Sequence, residues 1–466
     1  MRKFLLFFAI IFASNTLAVY ANPIPAPDIH AGAYILIDAA SGRIMRGHDI
    51  HRQMFPASTT KAITAILAYE HIGMDDLIIV GNEVTILPHD SARVGHDPGE
   101  AISGKNLLRG MLIGPGNDTA NVVAMEVARR ISGNPDIPFS EAQRLFAQLM
   151  TARARELGAR NTNFVNPHGY HHHNHFSTAY DLARLARAAL AIPTIAEIAA
   201  TPAFAGYMAG DYPAPPSPWR SWRSANELIG TGANSYPYAI GFRTGFTNMA
   251  GQSMISAAER DGIRLIAVTL NSPVLETGPT RWRDNYLLFE YGFMNFSYHT
   301  IHSAYTPLGI IDIYNPRLDD AGTLEFFATS YAIRFLSYAE RDRLQTQITF
   351  RPQLIATGDE YTNPNGQTLL YAPIEDGQII GTITYILDDA IIFSANLLAA
   401  RYVPLRTVNS DVDYHWERFV AAFLSRSALP YWIAATSVLT LLLVLILLLR
   451  NNIRKKKNRY NFKMKY

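Results

Sequence analysis

The sequence predicts a mixed α/β fold, an antiparallel sheet with helices, followed by a small β domain and a C-terminal transmembrane helix. Three observations predict it. The run Ala33-Tyr34-Ile35-Leu36-Ile37-Asp38 reads as a buried strand with Arg43-Ile44-Met45 as its hairpin partner, and a mainly helical region then leads to further strands over residues 239–270. Residues 306–406 break into short apolar runs separated by Gly, Pro, Asn and Asp, the spacing of a small β domain. Residues 431–449 carry no charge and are long enough to cross a bilayer as a helix.

Taken in order, Arg2 and Lys3 precede an apolar run and then small residues at Val19 and Ala21, the pattern of a secretory signal over residues 1–21, cleaved after Ala21 or after Ala18. Residues 28–295 form the first folded domain and residues 300–406 the β domain. A mixed aromatic and charged segment, 407–429, lies near the bilayer surface, the membrane helix covers 430–449, and a basic tail covers 450–466. Tyr431 and Trp432 suit the membrane interface, and the tail holds eight basic residues and no acid, which makes it cytoplasmic and puts the body of the protein outside. There are no cysteines, so the exported domains rest on their cores rather than on disulfides, and thiolate metal sites are excluded.

The formal charge of +2 hides a division. Without the basic residues of the leader and tail, 31 basic residues face 39 acidic ones, so no basic nucleic-acid surface is expected. The tail is a topology signal that can also touch anionic membrane lipid.

Chemistry concentrates around Pro56-Ala57-Ser58-Thr59-Thr60-Lys61. Pro56 discourages helix in the residue before it, and the Ala, Leu and Ile that follow start a helix beside Ser58. Three residues make nearly one turn, which brings the Lys61 amine within reach of the Ser58 hydroxyl. A serine needs an adjacent base to become a nucleophile, and lysine serves when burial or nearby positive charge favours its neutral form. Alone, Ser-x-x-Lys also describes a solvated helix start.

Two later stretches can complete a site. Gly114-Pro115-Gly116-Asn117-Asp118 is a loop before a helix, and Asn117 is either a substrate-orienting amide or a helix cap. Arg243-Thr244-Gly245-Phe246 lies on a strand whose cation, hydroxyl and glycine suit a carboxylate-bearing peptide laid alongside, although a surface strand ending in a turn has the same pattern.

These stretches, in this order, resemble the serine-type D-alanyl-D-alanine carboxypeptidases, the low-mass penicillin-binding proteins, whose motif types are Ser-x-x-Lys, Ser-x-Asn and Lys-Thr-Gly. The resemblance covers residues 30–400 and includes Phe164-Val165-Asn166-Pro167-His168-Gly169, Ser177-Thr178-Ala179-Tyr180-Asp181-Leu182-Ala183 and, in the β domain, the stretch 372–381. It implies a penicillin-binding protein/β-lactamase-like transpeptidase fold, with no metal or organic cofactor. It also implies that Ser58 attacks the carbonyl between two D-alanines of a peptidoglycan stem peptide, that Lys61 takes its proton, and that β-lactam antibiotics acylate the same serine. The backbone N–H groups of Ser58 and Phe246 would form the oxyanion hole. Asn117 would bind the peptide amide, Gly245 and Phe246 would belong to the substrate-binding strand, and Arg243 and Thr244 would face the terminal carboxylate, joined by Arg281 or alternatively Arg283.

Two positions depart from the family pattern. Pro115 stands where the second motif has a serine, removing a hydroxyl that could relay a proton to the leaving amine. Arg243 stands where the third motif has lysine, keeping the charge but not the ability to share a proton. The rival readings are a peptidoglycan-binding or scaffold protein that has lost turnover, and a related endopeptidase or β-lactamase. The histidines at 168, 171, 172, 173 and 175 invite a metal reading, but the run lacks a helical ligand register and a carboxylate partner. His168 is expected to be structural and the others a solvated loop near the cleft. Trp219, Trp222 and Tyr236 are expected in core or rim packing rather than in a substrate groove.

Overall fold

The computed structural model describes residues 24–209, 218–356, 368–425, 427 and 429–463. The expected signal segment, 1–21, lies outside the described residues. The chain divides into two compact units, Met1–Ser297 and Tyr298–Tyr466.

In the first unit, a five-stranded antiparallel sheet runs in the order Ile44–His48, Ala33–Asp38, Ile263–Ser272, Gly251–Arg260, Ala239–Thr247. Its first inner strand is buried at every residue, because helices cover both faces. Ile35 and Ile37 face the helix Ala179–Leu190, while Leu36 and Leu265 lie against Gly292 of the helix Arg281–Asn295. A strand buried on both sides loses polar alternation, which is why Ala33–Asp38 reads as an unbroken apolar run.

The helix Lys61–His71 is buried from Lys61 through Ala68 and runs through the main core, between Gly104–Leu112, Asn117–Ser132 and Ala179–Leu190. Its apolar all-round character suits a helix with no solvent face over those residues. The neighbouring helices start and stop by side-chain and backbone chemistry. Thr178 accepts from the Asp181 amide at 3.0 Å, Ser103 from the Asn106 amide at 3.3 Å, and Asn117–Ser132 ends on left-handed Gly133.

The second unit contains a six-stranded sheet in the order Gln345–Phe350, Ile379–Leu387, Ala390–Ala399, Thr323–Ala328, Pro307–Tyr314, Leu370–Tyr371. Leu324, Phe326, Ile374, Ile380 and Leu397 form its core. A capping box of Thr407 and Ser410 opens the helix Val408–Phe423, whose Trp416, Phe419 and Phe423 stack in series. The last helix, Leu429–Lys463, contains a span, Leu429–Lys455, of mean hydropathy 2.7 with none of that window buried, apolar and long enough to cross a membrane. The helix therefore continues beyond the expected end at residue 449 and into the basic tail.

Candidate active site

The turn that carries Ser58 is a single 3-10 turn, Ala57–Thr60, feeding directly into the helix Lys61–His71. Lys61 Nζ donates to Ser58 Oγ at 3.2 Å, the contact that the three-residue spacing predicts. Ala57 holds a left-handed backbone, φ 49°, unusual for a residue with a Cβ. Two close approaches hold it there. A Cβ on Gly169 would sit 1.8 Å from the Ala57 carbonyl oxygen, and one on Gly245 would sit 2.9 Å from the Ser58 amide nitrogen. Only glycine lets both backbones press against the turn.

The Asn166-Pro167-His168-Gly169 segment buttresses this turn from behind. Thr64 Oγ1 donates to the Pro167 carbonyl at 2.6 Å, and Thr60 Oγ1 lies 2.8 Å from His175 Nε2. His175 is buried and its Nδ1 also accepts from the Val165 amide at 3.2 Å, which corrects the expectation that it belongs to a solvated loop. Burial pushes it down to about 3, and burial beside Lys61 holds His168 well below the usual imidazole range, so both rings are neutral supports. His172 and His173 are exposed, as expected. Among the described residues, no group of three His, Asp or Glu is arranged to hold a metal ion.

Lys61 has no solvent exposure. Burial, then the nearby Arg243 charge, holds its amine well below the ordinary lysine range, opposed by Asp118. Its Nζ also donates to Asn117 Oδ1 at 2.5 Å, and Asn117 Nδ2 donates to Ser91 Oγ at 2.7 Å. Asn117 is therefore not the helix cap: that position falls to Gly116, and the Asn117 side chain turns into the cleft.

The cleft has a volume of about 680 Å³ and is lined by Ser58, Ser91, Asn117, Arg243 and Arg281 among others. Arg243, Thr244, Gly245 and Phe246 come from the edge strand of the sheet, and all line it. Arg243 is 5% exposed, so the strand is no ordinary surface strand at this point. Its guanidinium donates a 3.4 Å hydrogen bond to the Leu112 carbonyl, and its Nε has no hydrogen-bond partner among the described residues. Burial lowers it to about 10, which leaves the guanidinium cationic at neutral pH. Arg281 lies over the Trp282 ring, donates to Gln252 Oε1 and keeps a buried Nε with no hydrogen-bond partner among the described residues. Arg283 is half exposed, bonds His30 at 2.9 Å and does not line the cleft, so the geometry favours Arg281 of the two.

Pro115 is exposed and lies outside the cleft lining. Sequence reasoning missed Ser91. Its only signal is position in a loop rich in Gly, Pro and Asp, and nothing in that loop announces which residue turns inward. Trp222 and Tyr236 are buried in aromatic packing with Phe204 and Phe289, and exposed Trp219 packs on Tyr207, as expected of core and rim residues. A second cavity, of about 620 Å³, lies behind the sheet, but its Arg184 and Arg187 are spent on the carbonyls of Leu157, Ala39 and Ala40.

Comparison with known proteins agrees with this architecture. Residues 20–274 match the D-alanyl-D-alanine carboxypeptidase family, and residues 335–405 match the C-terminal domain of penicillin-binding protein 5. The chain is 32% identical to D-alanyl-D-alanine carboxypeptidase DacB2 of Mycobacterium tuberculosis over 59% of its own length and 86% of the relative's. It is 27% identical to D-alanyl-D-alanine carboxypeptidase DacC of Escherichia coli over 82% and 86%. The crystal structure of the D-alanyl-D-alanine carboxypeptidase DacD from Francisella tularensis shares the fold, with a TM-score of 0.58 at 21% identity, covering 83% of this chain and 96% of that one. With one family matched over more than half its length, and a relative matched over most of its own, this chain belongs to the D-alanyl-D-alanine carboxypeptidase family.

Proposed function

We propose that the protein is a serine-type D-alanyl-D-alanine carboxypeptidase that removes the terminal D-alanine of peptidoglycan stem peptides and is acylated by β-lactams at the same serine. The observation that carries this reading is the Lys61 amine: fully buried, held below its ordinary range, and 3.2 Å from a half-buried serine hydroxyl. Such an amine is neutral often enough to take the Ser58 proton as Oγ attacks the penultimate D-alanine carbonyl. The Ser58 and Phe246 amides receive the charge of the tetrahedral oxygen, a role that the packing of Gly245 against the Ser58 amide supports. Asn117 orients the peptide amide, and the unpartnered Nε groups of Arg243 and Arg281, with the Thr244 hydroxyl, suit the terminal carboxylate. After D-alanine leaves, Lys61 deprotonates the water that frees the Ser58 ester.

The catalytic domain, 28–295, and the β domain, 300–406, would stand on the outer side of the membrane. The apolar helix would anchor them, with its basic tail on the cytoplasmic side. The test is incubation of the purified protein with a fluorescent penicillin and with a peptide ending in D-Ala-D-Ala. Covalent labelling and D-alanine release, both lost in Ser58→Ala with melting temperature retained, are the expected result. Labelling without release would replace the reading by that of a binding protein that still acylates.

A further inference from the structure

We propose that Ser91 supplies the hydroxyl that Pro115 cannot, giving a proton to the nitrogen of the departing D-alanine. The inference rests on the carboxypeptidase reading above and concerns the second half of acylation. When Ser58 Oγ bonds to the carbonyl carbon, Lys61 holds the serine's proton as an ammonium. The tetrahedral adduct then breaks its C–N bond, and an amine leaves only if the nitrogen gains a proton. Pro115 has no hydroxyl and lies outside the cleft lining, whereas Ser91 lines the cleft at 8% exposure.

Asn117 links the two groups. Its Oδ1 accepts from Lys61 and its Nδ2 donates to Ser91 Oγ at 2.7 Å, so the amine and the hydroxyl share one side-chain amide. Because Ser91 Oγ is the acceptor of that bond, its own O–H remains to be given, and among the described residues no acceptor takes it. In the step, the Ser91 hydroxyl passes its proton to the nitrogen as the C–N bond breaks. The Lys61 ammonium replaces it, directly or through one water, so that serine, lysine and amine all end neutral beside the Ser58 ester.

The loop carrying Ser91 is fixed to the same helix start as Asn117. The Asn117 amide donates to the Ala92 carbonyl at 3.2 Å, and the Asp118 carboxylate accepts from the amides of Val94, Gly95 and His96 at 3.0, 2.8 and 3.2 Å. His96 in turn bridges Glu100 and Thr119, and Arg220 donates to Glu100 at 2.7 Å. On the other side the Tyr170 hydroxyl donates to Asp90 at 2.9 Å. Such a braced loop meets the need of acid catalysis for a fixed donor.

The test compares the full-length wild type with Ser91→Ala, Ser91→Thr and Pro115→Ser on a peptide ending in D-Ala-D-Ala and on the matching ester ending in D-lactate. Ser91→Ala should lose at least about 100-fold in kcat on the amide with KM within about threefold, Ser91→Thr should keep most of the rate, and Pro115→Ser should change it less than about threefold. On the ester, whose leaving oxygen needs a proton far less, the Ser91→Ala loss should fall below about tenfold. Equal losses on amide and ester would make Ser91 a structural residue and overturn the inference. So would a Ser91→Ala rate within twofold of wild type, while leaving the carboxypeptidase reading standing. A wild type that releases no D-alanine overturns both.

Discussion

One wall of the cleft is set by local geometry and the other by long-range assembly. Ser58 and Lys61 are three residues apart on a single turn, and the turn alone brings the amine to 3.2 Å from the hydroxyl. The facing wall joins the loop around Ser91 to the start of the helix Asn117–Ser132 through Asp118, and ties both to Arg220 through His96 and Glu100. The difference teaches that the Ser58 wall depends on helix register and burial, whereas the Ser91 wall depends on buried polar bonds between distant segments. Damage should therefore be chemical on the first wall and geometric on the second.

The largest effect should come from the local wall. Lys61→Ala removes the proposed base without disturbing the turn's backbone bonds, and is expected to lower the rate of covalent penicillin labelling by at least about 1,000-fold. Stopped-flow or gel-based labelling measures this. Labelling within tenfold of wild type would show that some other group deprotonates Ser58, and the contrast between the walls would collapse.

On the long-range wall, Asp118→Asn keeps shape but removes the charge that holds three loop amides. Charge-assisted bonds in a buried position are worth roughly 1–3 kcal/mol to stability. The expected result is a lower melting temperature together with a D-alanine release rate reduced about 10–100-fold, read from thermal unfolding and steady-state kinetics. A variant with unchanged melting and unchanged kcat would mean that the loop is held by its other contacts, and the wall would be less dependent on this carboxylate than its geometry implies.

The same division explains what the sequence made legible. Strands such as Ala33–Asp38 and Ile263–Ser272 are legible because burial on both faces leaves an apolar run, and the Ser58-Lys61 contact because its spacing is local. In the sequence Asn117 fits both amide and cap, since each needs a polar residue at a helix start; its bonds to Lys61 and Ser91 decide the matter. His175 looked solvated because its neighbours at 172 and 173 are, yet the chain turns it under Thr60, a pairing across 115 positions that no local pattern carries. Ser91 was unreadable for the same reason. Pro115 drew attention as a missing hydroxyl, while the hydroxyl in the cleft came from another segment.

The smallest effect, and the sharpest, concerns the two charges that act on Lys61 with opposite sign. In the proposed mechanism acylation requires the neutral Lys61 amine, so kcat/KM should rise with pH through the Lys61 ionisation. Arg243 pushes that ionisation down and Asp118 pushes it up. Replacing Arg243 by Gln removes a cation, stabilises the ammonium, and should move the acid limb of the profile to higher pH. Asp118→Asn removes an anion and should move the limb to lower pH. Arg243→Lys keeps the charge and should leave the limb near its wild-type position, with a rate within about threefold, while Arg243→Gln also weakens carboxylate binding by about tenfold in KM. The profiles are measured on the D-Ala-D-Ala peptide in buffers of constant ionic strength, because exposed charges would be screened whereas these buried ones would not. Shifts of opposite sign would tie both walls to one amine through electrostatics. Limbs that coincide in all three variants would mean that burial alone sets Lys61, and that the long-range wall reaches the chemistry only by shape.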